Sequence, residues 1–202
     1  MLTWRIDRRT GIVALGLGVI LLASNLALLK QNIELKSRVR LLSTATYLQP
    51  GETVPPLRGI GLAGEEVVIR YGPGAPTTVL LVFSPHCSWC RRNMPNWEAL
   101  AKTARARDWR LVAVSTLPSE VAEYAVRYPF LRRIPIVAEI DPQDQLAYKL
   151  QGTPQTIVVS GYGVVERTWI GALRAEQEAD AERFFATELP GTSLPAPRPA
   201  DG

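Results

Sequence analysis

Both cysteines of the chain, Cys87 and Cys90, fall in the stretch SPHCSWCRRNMP from Ser84 to Pro95, beside the only histidine, His86. Thiols at this spacing suit three chemistries: a structural crosslink, a metal site or the exchange of electrons with another molecule. A crosslink between residues so near in sequence closes a very small loop and removes little entropy from the unfolded chain, so it staples poorly. A structural zinc site takes four Cys or His ligands, and His86, Cys87 and Cys90 have no second pair anywhere in the chain, so no metal is expected. Exchange is left as the best use of the pair. The Cys87–Cys90 disulfide would then be the redox group itself, with no separate cofactor.

The elements around the pair favour that use. TTVLLVFS, from Thr77 to Ser84, reads as a fully buried strand, and from Ser88 onward Cys90, Met94, Trp97, Ala101 and Ala104 recur at intervals of three and four, one face of a helix ending near Arg107. Cys87 therefore falls at a strand-to-helix junction, where unpaired backbone N–H groups and the positive end of the helix dipole favour a thiolate. Cys90 lies one turn further in, placed to attack a mixed disulfide formed on Cys87 and release the partner. At His86 an imidazolium would stabilise the thiolate and an imidazole would shuttle protons; the alternative is a loop histidine that only packs. Trp89 is either an exposed docking surface or a ring folded back on the domain. Arg91 and Arg92 either add positive charge near the thiols or are solvated helix-surface groups. Pro95, inside the helix, removes a backbone donor and should bend the axis.

Beyond the pair the pattern keeps alternating. After EEVVIRY, an accessory strand or hairpin, RLVAVST reads as a strand, SEVAEYAVRY as a helix, PIVAEID as a strand, QDQLAYKL as a helix and QTIVVS as a strand. VVERTWI follows across the tight turn SGYG, and RAEQEADAERFFATEL closes with a helix. This predicts an α/β sandwich around a mixed central sheet. Strands joined through helices should run parallel and the terminal hairpin antiparallel.

The 202 residues, 47% of them apolar, suffice for one domain, and the net charge of +4 is spread among nearly as many acidic as basic groups, which gives no stripe for nucleic acid. Residues 11–29, GIVALGLGVILLASNLALL, carry no charge and have the length of a transmembrane helix. The run is long for a signal peptide and lacks a clean cleavage site, so it reads as an uncleaved anchor after an N-terminal segment 1–10 on the cytoplasmic side. Arg5, Arg8 and Arg9 before the span balance Lys30, Lys36, Arg38 and Arg40 after it, so charge alone sets no orientation. Residues 30–50 read as a helical stalk; Leu28, Leu35 and Leu42 at heptad spacing around Asn32 and Val39 offer a short pairing seam as the alternative, but two heptads favour the stalk. The domain is expected over 51–189, and 190–202, rich in Pro and small residues, as a disordered tail.

Over roughly Gly51 to Leu189 the chain resembles thioredoxin-like proteins, and among them the membrane-anchored TlpA/ResA-like thiol-disulfide oxidoreductases of the redoxin family. The likeness is carried by CSWC, by Pro95 five residues after the second thiol, and by GTP ahead of the terminal hairpin. It implies a thioredoxin-like three-layer sandwich after one transmembrane helix, and a cis proline facing the thiols whose preceding residue offers backbone hydrogen bonds to a partner. Pro135 and Pro154 compete for that place. Only Pro154 leads into the terminal hairpin and helix, so Thr153 and Pro154 are the expected partner-binding residues and Pro135 a strand-entry proline. The chain departs from the resemblance at His86, where many relatives have Trp, in TTVLLVFS, which lacks the acid of thioredoxins, and at Asn93, near where ResA-like members place a carboxylate.

The resemblance implies a thiol-disulfide oxidoreductase tethered to the inner membrane. Its domain would face the periplasm or cell exterior and exchange with protein thiols and disulfides there, with a membrane electron-relay protein among its partners. Cytochrome c maturation and methylamine dehydrogenase maturation are client roles within the family. Two other classes compete. A peroxiredoxin-type peroxide reductase has Ser84 in its favour but Leu80 where that motif needs Pro, and a redox-inactive anchored scaffold would keep its function with both cysteines replaced by Ser.

Overall fold

The computed structural model describes residues 8–174 and 176–192, without the side chains of 8–16 and 37–45. Residues 1–7 of the expected N-terminal segment and 193–202 of the expected tail lie outside the described residues, as do the side chains of 11–16 in the expected span and those of Val39 and Leu42 in the alternative seam. The chain divides into two units, Met1–Ala45 and Thr46–Gly202.

The described residues of the first unit are helical. Helix α1 (Arg8–Thr46) takes in both the expected span and most of the expected stalk without a break. From Leu17 to Leu35 its large apolar side chains are 56–68% exposed. Asn25, beside Ser24 within the apolar run, turns its amide back onto the Leu21 carbonyl at 2.8 Å. Among the described residues no helix is long and apolar enough to cross a membrane.

The second unit begins earlier than the expected Gly51. Leu48 is already buried in its core, and Gly51 donates to the Val165 carbonyl at 2.8 Å. Strands β1 (Leu57–Ile60) and β2 (Glu66–Ile69) form a hairpin. Then β3 (Thr78–Phe83), α2 (Ser88–Ala106), β4 (Arg110–Ser115), α3 (Val121–Arg127), a 3-10 turn at Leu131–Arg133 and β5 (Ile136–Val137) follow. After these come β6 (Glu139–Ile140), α4 (Pro142–Ala147), β7 (Gln155–Val159), β8 (Val165–Ile170) and α5 (Glu176–Phe185). The main sheet has the order β5-β4-β3-β7-β8. β3, β4 and β5 are parallel, whereas β7 runs antiparallel to β3 and β8 to β7, the mixed sheet expected. The SGYG turn closes through Gly163, whose N–H donates to the Ser160 carbonyl at 3.0 Å and whose φ of +80° suits glycine.

PIVAEID is not one strand but two. Ala138 breaks it, donating to the Ile60 carbonyl at 2.8 Å, so that β5 pairs with β4 while β6 pairs with β1 in a second sheet of order β2-β1-β6. The alternating side chains of β3 explain the layers. Val79, Leu81 and Phe83 point to a core shared with α2, α3 and α5, and Leu80 and Val82 to one shared with Leu57, Ile69, Tyr148 and Leu150. One outer layer is therefore helical, and the other combines the small sheet with the segment around α4. Every residue of β3 is buried, as a central strand covered on both faces requires.

Candidate active site

The site begins where β3 ends. After Phe83 the chain turns through Ser84, whose carbonyl accepts from the Cys87 N–H at 3.1 Å, and α2 starts at Ser88 with Cys87 as its N-cap. The Cys87 sulfur fills the role usually taken by a capping oxygen, accepting the Cys90 N–H at 3.0 Å. Cys87 and Cys90 are joined as a disulfide. Their exposure differs: Cys90 is 0% exposed, packed among the residues of the α2 core, whereas Cys87 is half-buried and open to a partner. The helix register explains this, since Cys90, Met94, Trp97, Leu100 and Ala104 form its buried face, with Leu100 rather than Ala101 at the centre.

The structure places Thr153 and Pro154 beside the disulfide. The Thr153 carbonyl oxygen lies 3.6 Å from the Cys87 sulfur, and the Thr153–Pro154 peptide is cis. Pro135 instead leads into β5, its carbonyl accepting from Ala113 at 3.0 Å. The Pro154 carbonyl accepts from Gly171 N–H at 2.8 Å, tying the loop before β7 to the turn after β8.

Two side-chain ties seat α2 against this loop. Trp97, fully buried, donates its indole N–H to the Thr156 hydroxyl on β7 at 2.8 Å. Asn93 and Asn96, also fully buried, grip the backbone at Leu173: Asn93 Oδ1 accepts from Leu173 N–H at 3.0 Å and from Asn96 Nδ2 at 3.1 Å, and Asn96 Nδ2 also reaches the Leu173 carbonyl at 3.3 Å. Asn93 is thus a structural clamp. Behind the thiols Tyr124 stacks on Phe83 with ring centres 5.1 Å apart, and its hydroxyl, buried without a hydrogen-bond partner, is pushed well up from the ordinary phenol range by desolvation.

The polar groups expected near the thiols are resolved as follows. His86 is exposed and its Nδ1 lies 3.8 Å from a carboxylate oxygen of Glu120, a residue held in the left-handed region at φ 61° as the N-cap of α3. Trp89 is 42% exposed, so it is not folded into the core. The Arg92 and Arg174 guanidiniums lie over its ring, 4.9 and 4.7 Å from the centroid. Among the described residues no group of three His, Cys, Asp or Glu side chains could hold a metal.

Sequence reasoning missed Asn96, Glu120 and Arg174 as parts of this region and read Trp97 only as a member of the helix's apolar face. A signal existed for the first, because Asn93 and Asn96 repeat at helical spacing on an otherwise apolar face. None existed for Arg174, which joins the site only through the fold.

Neither protein-family models nor curated proteins match the chain. Solved structures do. A protein described as a thiol:disulfide interchange protein DsbE, from Chlorobium tepidum, is 21% identical over 69% of this chain and 97% of its own, with a TM-score of 0.52. A protein described as a thioredoxin, from Neisseria meningitidis, is 18% identical over 67% of this chain and 91% of its own, also at 0.52. A peroxiredoxin-like protein from Aquifex aeolicus is 13% identical over 62% of this chain and 78% of its own, at 0.50. With β3, the cysteine-capped α2, the cis proline ahead of β7 and the β7–β8 hairpin in these places, the Thr46–Gly202 unit has a thioredoxin-like α/β fold.

Proposed function

We propose that the chain is a thiol-disulfide oxidoreductase that exchanges the Cys87–Cys90 couple with cysteines of other proteins outside the cytoplasm. One observation carries this: the two sulfurs are bonded to each other, yet only Cys87, beside the Thr153 carbonyl, is open to a partner. In the reducing direction for this chain, a client thiolate attacks Cys87, the Cys87–Cys90 bond breaks, and Cys90 leaves as a thiolate and is protonated. A second client thiol then loses its proton and attacks the client sulfur of the mixed disulfide, releasing Cys87. Two electrons pass from client to chain, and the reverse sequence reduces a client disulfide. Extended client backbone fits against Thr153, while the N–H groups at the start of α2 favour the charged form of Cys87.

The peroxidase reading gains nothing from the site, because Leu80 is a fully buried strand residue one element before the thiols. The anchoring of the domain is part of the same proposal. The uncharged run 11–29 and a helix whose aliphatic side chains stay more than half exposed are costly in water and suited to lipid. A domain acting on other proteins' disulfides meets its clients where disulfides persist, at the outer face of the inner membrane, with a membrane electron-relay protein to reset it.

The exchange is tested by trapping. The full chain carrying Cys90→Ser should attack a disulfide-bonded peptide, displace one peptide thiol and accumulate as the mixed disulfide, and Cys87→Ser should not; equal trapping by both, or by neither, overturns the reading. Anchoring is tested by alkaline carbonate extraction of cell membranes. The chain should stay in the pellet and Leu22→Arg should release it, and a wild-type chain found in the supernatant would refute the tether.

A further inference from the structure

Beside the disulfide two arginines stack on Trp89. Arg92 and Arg174 reach Trp89 from different parts of the chain, α2 and the turn after β8, and among the described residues neither guanidinium has a hydrogen-bond or carboxylate partner. Among the described residues Arg91, next in sequence to Cys90, has none either. The acidic side chain near His86, Glu120, faces the imidazole. Arg174 also lines an open groove of about 620 Å³ with Ile170, Gly171, Ala172, Glu176 and Gln177. Gly171, in that lining, donates its N–H to the carbonyl of Pro154, the residue after Thr153, at 2.8 Å. Glu176 is the acidic member of the lining, and Gln177 is held by the Ile170 carbonyl at 2.9 Å.

Two guanidiniums held against an indole lose part of their conformational freedom to the ring and keep their N–H forks unused, which makes them ready donors for a carboxylate. A client lying across Thr153 and Pro154 toward Gly171 would bring the residues flanking its cysteine to this patch. We propose that the Trp89, Arg92 and Arg174 cluster selects client segments that carry Asp or Glu beside the reacting cysteine. The inference rests on the exchange reading above and adds the class of client.

The test uses the full, oxidised chain in nonionic detergent and three reduced peptides of one length. Each contains Cys-Gly-Gly-Cys, flanked by Asp, Ser or Lys pairs. Loss of the Cys87–Cys90 disulfide is followed by thiol labelling, and each rate is divided by that peptide's own rate with the neutral 2,2′-dithiodipyridine, which removes differences in intrinsic nucleophilicity. The acidic peptide should exceed the Ser peptide by roughly three- to tenfold at low salt and the Lys peptide by more, and about 1 M salt should erase the advantage. Arg92→Gln with Arg174→Gln should bring the acidic-to-Ser ratio to about one, while the paired Lys variant should retain part of it. Equal normalised rates for the acidic and Ser peptides in the unaltered chain would overturn the proposal while leaving exchange intact. A rate per molecule that falls as the chain is concentrated would put a second copy on the patch and also overturn it. Reaction with none of the three would refute the exchange reading, and this inference with it.

Discussion

In the reduced protein, Cys87 should react with alkylating agents far faster than Cys90, and the size of the difference follows from the burial of the second thiol. Cys90 is 0% exposed, so a reagent reaches it only when the first turn of α2 opens. Opening exposes a small apolar side chain, at a cost of about 1 kcal/mol for some 40 Å² at roughly 25 cal/mol per Å². It also breaks two contacts of the turn, Arg91 N–H to the Cys87 carbonyl at 3.2 Å and Cys90 N–H to the Cys87 sulfur at 3.0 Å, at about 1 kcal/mol net each. The sum, about 3 kcal/mol, corresponds to a factor of roughly a hundred at 1.4 kcal/mol per decade. Iodoacetamide labelling over time, with peptide mass mapping to assign the site, reads the ratio. The single-cysteine variants Cys87→Ser and Cys90→Ser repeat it without interference between thiols. Rates within about threefold of each other, or a faster Cys90, would refute the assignment of Cys87 as the attacking group.

Other consequences concern the ties that seat the site. Trp97→Phe should cost about 1–2 kcal/mol in urea unfolding by removing the donor to the buried Thr156 hydroxyl, and a double-mutant cycle with Thr156→Val should return a coupling of about 1 kcal/mol. Asn93→Leu should cost about 1–3 kcal/mol by leaving the Leu173 N–H without its acceptor and removing one of the two acceptors of the Asn96 amide, and it should slow peptide exchange by loosening the turn that carries Arg174. Asp144 is nearly fully buried and accepts from the Arg58 backbone N–H and from two guanidinium nitrogens at 2.7–3.0 Å, which holds its carboxyl below the usual carboxylate range. With the folded-state value lowered, the native state keeps this group ionised after the unfolded chain has taken up its proton. The stabilisation is therefore complete above about pH 4 and is lost as the pH falls through the native value. Asp144→Asn should accordingly move the midpoint of acid unfolding to higher pH, read by circular dichroism; an unchanged midpoint would contradict the role given to this pair.

The placement of the cysteine pair was legible in the sequence because its signals are local. A cysteine pair two residues apart, a charge-free strand ahead of it and apolar residues at helical spacing behind it place Cys87 at a helix start without any knowledge of the rest of the chain. The GTP ahead of the terminal strands told Pro154 from Pro135 for a similar reason, since the element after each proline can be read directly. What depended on tertiary pairing was not legible. PIVAEID has the composition of one strand, and only the competition of Ile60 for the Ala138 N–H splits it between two sheets. Leu48 joins the core from a stretch that reads as stalk, because the Val165 carbonyl draws the following Gly51 onto β8. Arg174 is an unremarkable surface residue in sequence, and it acquires a partner only when the Leu173 backbone is clamped by Asn93 and Asn96 on α2. The choice left open at Trp89, docking surface or folded-back ring, resolves into a ring exposed at 42% and flanked by guanidiniums.

The most direct test of the central claim is the redox equilibrium of Cys87 and Cys90 in the full chain, poised in glutathione buffers and quantified by thiol labelling. One reversible two-electron transition is expected, in which both thiols appear together, with about 30 mV per tenfold change in the oxidised-to-reduced ratio. Thiols that stay separate across the whole range of buffers, or that titrate one at a time against glutathione, would contradict it.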